Sequence, residues 1–471
     1  MSPVPVKAGE TLVEKAMEHV RSRIAARTLV PGAKLASIRS FAQTLGVSKS
    51  TVVEAYERLG AEGIIRARPG SGFYVVGHMP PLSLAELGPR LDRAVDPFWI
   101  SRQSFETQDD FLKPGCGWLP TSWLADDAMR RTLRALARAP SERLLDYGAP
   151  MGSIALRQHL SRRMGNHGID APPDQIVLTA SGTEAIDLVC RFHLEPGDTV
   201  LVDDPCYFNF HALLRAHRAN IVGVRYTPTG PDDEAFAEAV EAHRPKLYIT
   251  NSALQNPTGA ILSPLVAHRI LKIAEQSGLV IVEDDIFADF EHTPAPRLAA
   301  FDGLDRVIHI GSFSKTLSAS VRCGFIAMRR DWIDDLVDIK IATRFGGDRL
   351  AGDMVLSLLQ DGAYRRHMEA LRERLAVAMS RTSANLKKIG ITPWLEPTAG
   401  MFLWARLPEG LDAAVIARKA LDEGIVLAPG NVFSLSQSAG GFLRFNASQS
   451  LNERLYRTLE RLMETEARRR S

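Results

Sequence analysis

One lysine in the sequence is a candidate for covalent chemistry. Lys315 lies in the segment GSFSKTLSASVRCG, from Gly311 to Gly324, which contains only one other charged residue, Arg322. Burial deprives a lysine of the hydration that stabilises its ammonium group, so its pKa falls and the neutral amine can attack a carbonyl carbon. Lys315 is therefore a candidate for Schiff-base formation with an aldehyde cofactor. An exposed lysine on a loop is the alternative.

Pyridoxal phosphate is the usual aldehyde partner of such a lysine, and it needs a carboxylate, phosphate donors and a stacking ring. The carboxylate would be Asp284, which ends the strand-like run LVIVEDD at the edge where α/β sheets bind ligands. Tyr207 in DDPCYF is the candidate ring, and Asn256 in QNPTG could hydrogen-bond the ring hydroxyl of the cofactor. Taken singly, each has a structural alternative, namely a salt bridge, a surface ring and a turn.

Two segments could bind the phosphate. SGTEAI follows the strand-like run QIVLTA and predicts a helix N-terminus, where amide groups and the helix dipole favour an anion. Hydroxyl and guanidinium groups near Lys315 could complete the site. The candidate residues are Ser181, Gly182, Thr183, Glu184, Ser312 and Arg322. A plain helix cap is the alternative for SGTEA, and the order of all these motifs along the chain favours the cofactor site.

The elements that must position these residues follow an alternating pattern. From about residue 112 onward, apolar strand-like runs alternate with amphipathic helices, and examples of the runs are QIVLTA, TVLVDD, KLYIT, LVIVEDD and RVIHIGS. This alternation predicts an α/β domain with a mostly parallel sheet covered by helices on both faces. The end of the chain, from TPWLEP to GFLRFNAS, predicts a smaller α+β subdomain.

The first eighty residues predict a winged helix-turn-helix. SIRSFAQTLG and SKSTVVEAYERLGAEG are two short amphipathic segments, with Gly46 in the turn and Ser48 as the N-cap of the second helix. IIRARPGSGFYVV predicts a β-hairpin that would form the wing. The residues placed to contact DNA are Arg39, Ser48, Lys49, Ser50, Thr51, Arg66 and Arg68. A packing module with solvated charges is the alternative.

The charge distribution favours DNA binding by this region. Residues 1–78 contain eleven Lys and Arg and six Asp and Glu, a net charge of +5, whereas the whole chain carries +2 and its remainder therefore −3. Only the N-terminal region is thus expected to meet a polyanion. No run approaches the roughly 18 apolar residues of a membrane span, and the first residues are not typical of a signal peptide, so a cytoplasmic protein without a membrane partner is expected. Four scattered cysteines lack metal-ligand spacing, so no metal is expected.

Two resemblances follow from these motifs. KLASIRSFAQTLGVSKSTVVEAYERLGAEGIIRARPGSGFYV closely resembles the winged helix-turn-helix of GntR-type bacterial transcription regulators. The order SGTEA, DDPCY, NPTG, EDD and SFSK, with an arginine seven residues after the lysine, resembles fold type I, class I pyridoxal-phosphate aminotransferases over roughly residues 112–465. Joined, the chain resembles a MocR-type regulator. The resemblance implies a GntR-type domain at 8–78, a linker at 79–111 and an aminotransferase-like domain at 112–468.

The MocR resemblance also implies an assembly and a ligand. In that family the large domain forms a head-to-tail homodimer with cofactor sites at the interface. Tyr147, in LLDYGAPMGSIALR, matches the tyrosine that reaches the phosphate of the neighbouring subunit, and Arg444, in GFLRFNAS, matches the arginine that binds a substrate α-carboxylate. A planar guanidinium forms two parallel hydrogen bonds to a carboxylate, so an amino-acid ligand is expected. A structural ion pair is the alternative for Arg444.

Two functions remain open at this stage. The first is a transcription regulator that binds double-stranded operator DNA and senses an amino acid or amine when that ligand displaces Lys315 and forms an external aldimine. The second is an aminotransferase that carries an accessory DNA-binding domain. One position departs from the family pattern, because Phe287 replaces a tyrosine whose hydroxyl would touch the ring oxygen of the cofactor. Cofactor binding is expected to survive this change, whereas efficient transamination is in doubt.

Overall fold

The computed structural model describes residues 11–25, 29, 31–68, 70–76, 105 and 110–470. The chain divides into two compact units, one within residues 1–91 and one within residues 92–471. The predicted linker at 79–111 lies almost wholly outside the described residues. No helix in the described ranges combines the length and apolar character needed to cross a membrane.

The N-terminal unit is a three-helix bundle with a hairpin. Its elements are α1 (Leu12–Ala25), α2 (Ile38–Leu45), α3 (Lys49–Ala61), β1 (Ile65–Arg68) and β2 (Gly72–Val75). Gly46 ends α2 with φ 66°, a left-handed conformation that glycine adopts without strain. Ser48 caps α3 as predicted, because its side chain accepts a hydrogen bond from the Thr51 amide. Tyr56 is buried at the centre of the bundle.

A central eight-stranded sheet organises the large unit. Its strands are β3 (Ile176–Thr179), β4 (Thr199–Asp204), β5 (Asn220–Thr227), β6 (Gly230–Pro231), β7 (Leu247–Thr250), β8 (Val280–Asp284), β9 (Val307–Ser312) and β10 (Gly324–Ala327). They lie in the order β3-β10-β9-β8-β7-β4-β5-β6. The five strands from β9 to β5 in this order pair in parallel, while β10 and β6 pair antiparallel with their neighbours. The sheet is therefore mostly parallel, as predicted.

Strand β10 brings two chemically important strand ends together. It lies between β3 and β9, and its Gly324 is opposite both Thr179 and Ser312. A Cβ atom at Gly324 would lie 2.8 Å from the Ser181 carbonyl carbon, so only glycine fits at this crossing. The start of the SGTEA segment and the start of the SFSK segment consequently lie side by side.

Helices cover the sheet on both sides. They are α4 (Asp126–Leu136), α5 (Ser141–Leu145), α6 (Ile154–Gly165), α7 (Gly182–His193), α8 (Phe208–Ala216), α9 (Asp233–His243), α10 (Pro264–Ser277), α11 (Leu298–Asp302), α12 (Ile333–Arg344), α13 (Arg349–Gln360) and α14 (Ala363–Lys388). Short 3-10 turns occur at Thr121–Trp123, Pro173–Gln175, Ala288–Phe290 and Arg330–Trp332. Two apolar cores, one on each face, fill the space between these helices and the sheet.

A smaller α+β subdomain completes the large unit. Its sheet is antiparallel, in the order β11-β12-β14-β13, with β11 (Thr392–Pro393), β12 (Phe402–Arg406), β13 (Ala428–Pro429) and β14 (Phe442–Asn446). Helices α15 (Ala413–Asp422) and α16 (Glu453–Arg470) pack on it, and 3-10 turns lie at Gly430–Val432 and Ala447–Gln449. The subdomain has its own apolar core, which the second half of α14 shares.

Candidate functional site

Lys315 lies in a turn after β9, with its amine directed into the large unit. The amine donates a hydrogen bond to the carbonyl of Gly117, at 2.7 Å. No carboxylate lies within salt-bridge distance of it among the residues that the structure describes. Desolvation, together with the nearby Arg444 guanidinium, lowers the pKa of Lys315 to about 8. The neutral amine that a nucleophile requires is therefore far more abundant near neutral pH than it is for an ordinary lysine.

Asp284 ends β8 at the same edge of the sheet. The residue is 3% exposed. Burial raises the pKa of its carboxyl to about 7, and the neighbouring Asp285 acts in the same direction. The Ile286 amide donates to the Asp284 Oδ1 atom at 3.3 Å, and no guanidinium or ammonium group within the described ranges forms a salt bridge with it. A protonated pyridine nitrogen would supply the missing positive charge.

The predicted phosphate-binding residues lie around the N-terminus of α7. A Cβ atom at Gly182 would lie 3.8 Å from the Ser312 Cβ atom, so the two segments are in contact. The Ser312 hydroxyl lies 3.2 Å from the Ser314 hydroxyl, which in turn accepts a hydrogen bond from Arg322 at 3.3 Å. Ser314 was missed in the sequence, although its position next to Lys315 in SFSK was a usable signal. Thr183 is exposed at the mouth of this cluster.

Glu184 does not contribute a free amide, contrary to expectation. The Ser181 hydroxyl accepts a hydrogen bond from the Glu184 amide at 3.1 Å, which satisfies that donor within the helix cap. The Glu184 carboxylate accepts from the Ala180 amide and from Arg344. Since the first amides of a helix have no intrahelical acceptor, Gly182 and Thr183 remain the candidate anion donors in this helix.

Arg444 is buried on β14, at 1% exposure. Its two terminal nitrogens donate to the Asn256 Oδ1 atom at 2.9 Å and to the Gly115 carbonyl at 2.8 Å. Its Nε atom has no hydrogen-bond partner in the described structure. Desolvation lowers the pKa of Arg444 to about 10. A buried guanidinium paired only with neutral oxygens is a site for an anion.

Aromatic rings surround the Arg444 guanidinium. Its central carbon lies 4.2 Å from the Phe402 ring centroid and 4.9 Å from that of Phe433, within the range of cation–π attraction. Phe287 packs edge to face on Phe402 at 5.6 Å. Tyr207, the predicted stacking ring, precedes α8, and burial raises the pKa of its hydroxyl. These rings give the site largely apolar walls.

A short segment connects Lys315 to Arg444. Residues 112–118 run along the small subdomain, where Leu112 pairs with Ile425 and the Gly115 amide donates to the Val426 carbonyl. A Cβ atom at Gly117 would lie 3.7 Å from the Lys315 amine and 3.9 Å from an Arg444 nitrogen. The segment GWLP, from Gly117 to Pro120, matches the substrate-side loop of aminotransferases only loosely, so Gly117 was given little weight in the sequence. Because Gly117 is close to both charged groups, it forms part of the wall of the ligand site.

Tyr147 lies apart from these buried residues, at the surface. Its side chain is 78% exposed, and its ring packs edge to face on the 66% exposed Phe345 at 5.1 Å. A surface cavity of about 490 Å³ has both Tyr147 and Arg322 in its lining. The tyrosine is therefore exposed at a cavity that also has the candidate phosphate ligand Arg322 in its lining.

Most of the candidate DNA-binding residues are exposed in the N-terminal unit. Arg39, Lys49, Arg66 and Arg68 are exposed, and none of them forms a salt bridge in the described part of the chain. Hydroxyl groups of Ser50 and Thr51 lie 2.8 Å from that of Ser48, so these three side chains stabilise the start of α3 in the absence of DNA. Arg68 stacks on Tyr74 at 4.3 Å, and Lys34 pairs with Tyr74.

Comparison with known proteins places both units in established families. Residues 12–75 match the model described as bacterial regulatory proteins, gntR family, and residues 120–462 match aminotransferase class I and II. The HTH-type transcriptional regulator YdcR of Escherichia coli is 30% identical over 94% of this chain and 97% of its own. The HTH-type transcriptional regulator NorG of Staphylococcus aureus is 26% identical over 90% of this chain and 98% of its own.

Solved aminotransferases share the architecture of the large unit. LysN, the α-aminoadipate aminotransferase of Thermus thermophilus, crystallised with N-(5'-phosphopyridoxyl)-L-leucine, has a TM-score of 0.71 at 25% identity and covers 78% of this chain and 94% of its own. An archaeal alanine:glyoxylate aminotransferase has a TM-score of 0.73 at 23% identity, covering 81% of this chain and 97% of its own.

The protein therefore joins a GntR-type DNA-binding domain to an aminotransferase domain of fold type I, the fold of aminotransferases that bind pyridoxal phosphate. The chain belongs to the MocR-type transcription regulators, as the sequence motifs predicted.

Proposed function

We propose that this protein binds operator DNA through its N-terminal unit and senses an amino acid or amine through pyridoxal phosphate bound at Lys315. One observation carries the proposal. A lysine amine of lowered pKa and a buried guanidinium without a carboxylate partner both lie next to Gly117, in a chain that also has a GntR-type domain. Every amino acid has an amine that could replace Lys315 on the cofactor and a carboxylate that could bind Arg444.

The residues present fit the cofactor. Asp284 is a buried carboxyl group without a cation, as a pyridine nitrogen requires. Gly182, Ser312 and Ser314 form a small hydroxyl- and amide-lined cluster, which Arg322 borders. Pyridoxal phosphate, when bound, supplies an aldehyde that condenses reversibly with amines and a ring that withdraws electrons.

Each residue then has a defined role. Lys315 holds the cofactor and accepts or releases a proton at Nζ as the ligand amine replaces it. Asp284 keeps the ring nitrogen protonated, and Tyr207 covers the ring. Arg444, fixed by Asn256, binds the ligand carboxylate with its unpartnered Nε atom and a terminal nitrogen.

Regulation is favoured over turnover by Phe287. This ring packs on Phe290 and Phe402 and offers no hydrogen-bond donor to a cofactor oxygen. Catalysed proton transfer at the ligand Cα is therefore expected to be slower than in an enzyme with tyrosine at this position. The alternative, an aminotransferase with an accessory DNA-binding domain, requires that this transfer goes to completion.

The proposal includes a homodimer with shared cofactor sites. Exposed apolar side chains cluster around Tyr147, and they are Leu144, Leu145, Phe345 and Leu350. Such a patch could be buried against a second copy, and the MocR resemblance implies that Tyr147 would then reach the phosphate of that copy. Sedimentation of the purified protein tests the dimer. A monomer at all concentrations would remove the role given to Tyr147.

A titration of the cofactor-loaded protein with amino acids and amines tests the sensor. A visible absorbance change that reverses on dialysis, and that alters operator binding at the same ligand concentration, is the expected result. Repeated conversion of an amino acid and a keto acid over many turnovers would instead make the protein an aminotransferase. A spectrum that no amine or amino acid changes would contradict both.

A further inference from the structure

Helix α14 belongs to two apolar cores. Met368, Leu371 and Leu375, in its first half, pack in the core beside the central sheet. Met379 and Leu386, in its second half, pack in the core of the small subdomain. A displacement of the small subdomain relative to the central sheet must therefore be transmitted along this 26-residue helix.

The first turn of α14 holds the residue that follows Lys315. Thr316 is completely buried. Its hydroxyl oxygen lies 2.9 Å from the Tyr364 hydroxyl oxygen, and its carbonyl oxygen lies 2.9 Å from the His367 Nε2 atom. Because a carbonyl only accepts, Nε2 must carry the proton of the His367 imidazole. One helix thus binds both the side chain and the main chain of Thr316.

The Tyr364 hydroxyl is itself fixed from the other side. It also donates to the carboxylate of Asp289, so the single proton of Tyr364 is shared between the Asp289 carboxylate and the Thr316 hydroxyl. Asp289 pairs with Arg163, and the Asp289 carbonyl accepts a hydrogen bond from Arg372 at 2.8 Å. The guanidinium of Arg163 also lies 5.2 Å from the Tyr364 ring. Thr316 therefore has little freedom to move unless α14 moves.

We infer that Tyr364 and His367 are positioning residues for Lys315, which link the orientation of its amine to the small subdomain through α14. The inference rests on the proposed role of Lys315. Neither side chain touches the ligand site directly, and both act through Thr316. Arg444 lies on the sheet of the small subdomain. A ligand carboxylate that binds Arg444 and displaces this subdomain would therefore also displace α14, the helix that holds Thr316.

The test measures how fast cofactor-free protein captures pyridoxal phosphate at different pH values. Only the neutral amine attacks, so the midpoint of the rate profile reports the pKa of Lys315, expected near 8 in the unaltered protein. Tyr364→Phe and His367→Leu free Thr316 and let the amine reach water. The midpoint should rise by about half to one pH unit, as expected for one hydrogen bond lost next to a titrating group.

Matched variants separate positioning from general damage. His367→Gln retains an N–H donor and should return the midpoint close to that of the unaltered protein. Arg365→Ala, at an exposed position of the same helix turn, should leave it unchanged. Tyr364→Phe keeps the ring and its packing, so it decides the matter if His367→Leu does not fold.

Two outcomes would overturn the inference. The first is a midpoint in Tyr364→Phe and His367→Leu equal to that of Arg365→Ala. The second is a His367→Gln midpoint as far shifted as that of His367→Leu. Failure of the proposed function is distinguished by Lys315→Ala, because capture that persists without the lysine would remove Lys315 itself from the reaction.

Discussion

Lys315 and Arg444 hold neighbouring carbonyl groups of one short segment. The lysine amine donates to Gly117 at 2.7 Å, and the arginine donates to Gly115 at 2.8 Å. The lysine comes from the large sheet and the arginine from the small subdomain. The lysine amine and the arginine guanidinium thus come from different subdomains and both lie beside Gly117, where one ligand with an amine and a carboxylate could reach both.

Loss of the lysine should abolish the covalent cofactor linkage. In Lys315→Ala no amine remains near Asp284, so the visible absorbance of the cofactor-loaded protein should disappear while its far-ultraviolet dichroism stays the same. Absorbance spectroscopy after dialysis makes the measurement. Lys272→Ala, which alters an exposed lysine of α10, is the control and should retain the band.

Loss of the arginine should discriminate between ligands. Arg444→Ala removes the charged donor for a carboxylate, so the spectral response to amino acids should weaken about ten- to a hundredfold, as expected for hydrogen bonds to a charged group. Amines without a carboxylate should respond as before. Arg406→Ala, at an exposed position on the neighbouring strand β12, serves as the control. An equal loss for both ligand classes would mean that Arg444 does not bind the carboxylate.

The buried Asp284 should make the cofactor-free protein less stable as pH rises. Its pKa is raised to about 7 from an ordinary value of 3.8, so the folded state binds more protons than the unfolded state between these limits. The stability from this group is complete below about pH 4 and is lost as pH rises to about 7. Asparagine cannot ionise. At pH 8 the free energy of unfolding of Asp284→Asn should therefore be higher than that of the original protein by up to about 4 kcal/mol.

Urea unfolding at pH 5 and pH 8, followed by tryptophan fluorescence, measures this difference. All six tryptophans of the chain follow residue 91, so the signal reports the large unit. If Asp284→Asn increased the free energy of unfolding equally at both pH values, this result would contradict the raised pKa of Asp284.

Restoring a hydroxyl at position 287 should favour turnover. In Phe287→Tyr the new phenol could donate to the ring oxygen of the cofactor, which stabilises the deprotonated oxygen and lowers the pKa of the lysine–cofactor linkage. Absorbance titration with pH measures that shift, and assays with an amino acid and a keto acid measure turnover, which should increase. Phe287→Leu, which adds no donor, should not reproduce either effect.

Operator binding should depend on Lys49 through charge. Lys49→Ala should weaken binding and reduce the slope of log affinity against log salt by about one, because one phosphate contact is lost. Arg58→Ala is the matched control, since Arg58 lies on the same helix but pairs with Glu54 at 2.6 Å. The visible absorbance of the cofactor should be unaltered in both variants. A Lys49→Ala protein with the full salt slope would exclude a phosphate contact.

The sequence was sufficient for elements that depend on local signals. Ser48 at the start of α3, Gly46 at the end of α2 and the hairpin around PGSG were predicted because capping and turn conformations are set by a few adjacent residues. The mostly parallel sheet was predicted because buried parallel strands are continuous apolar runs. Lys315 and Asp284 were selected by motif order and Arg444 by the family resemblance, and their common location is a property of the folded chain.

Features that depend on distant contacts were not predictable. Strand β10 is only four residues long, and its antiparallel place between β3 and β9 follows from pairing with segments far away in sequence. Glu184 was expected to offer an amide, but a capping interaction with Ser181 uses it. The hydrogen bonds between Thr316 and the side chains of Tyr364 and His367 join residues that are 48 and 51 positions apart, and no local sequence pattern predicts them.

The segment with Gly115 and Gly117 gives the site a built-in competitor. Its two carbonyls accept hydrogen bonds from the lysine amine and from one terminal nitrogen of the arginine. A ligand carboxylate must displace the Gly115 carbonyl from that nitrogen, and only the unpartnered Nε atom of Arg444 gains a new hydrogen bond. An amine without a carboxylate leaves the contact between Arg444 and Gly115 in place. The two classes of ligand therefore leave this segment in different states, released from Arg444 or still bound to it.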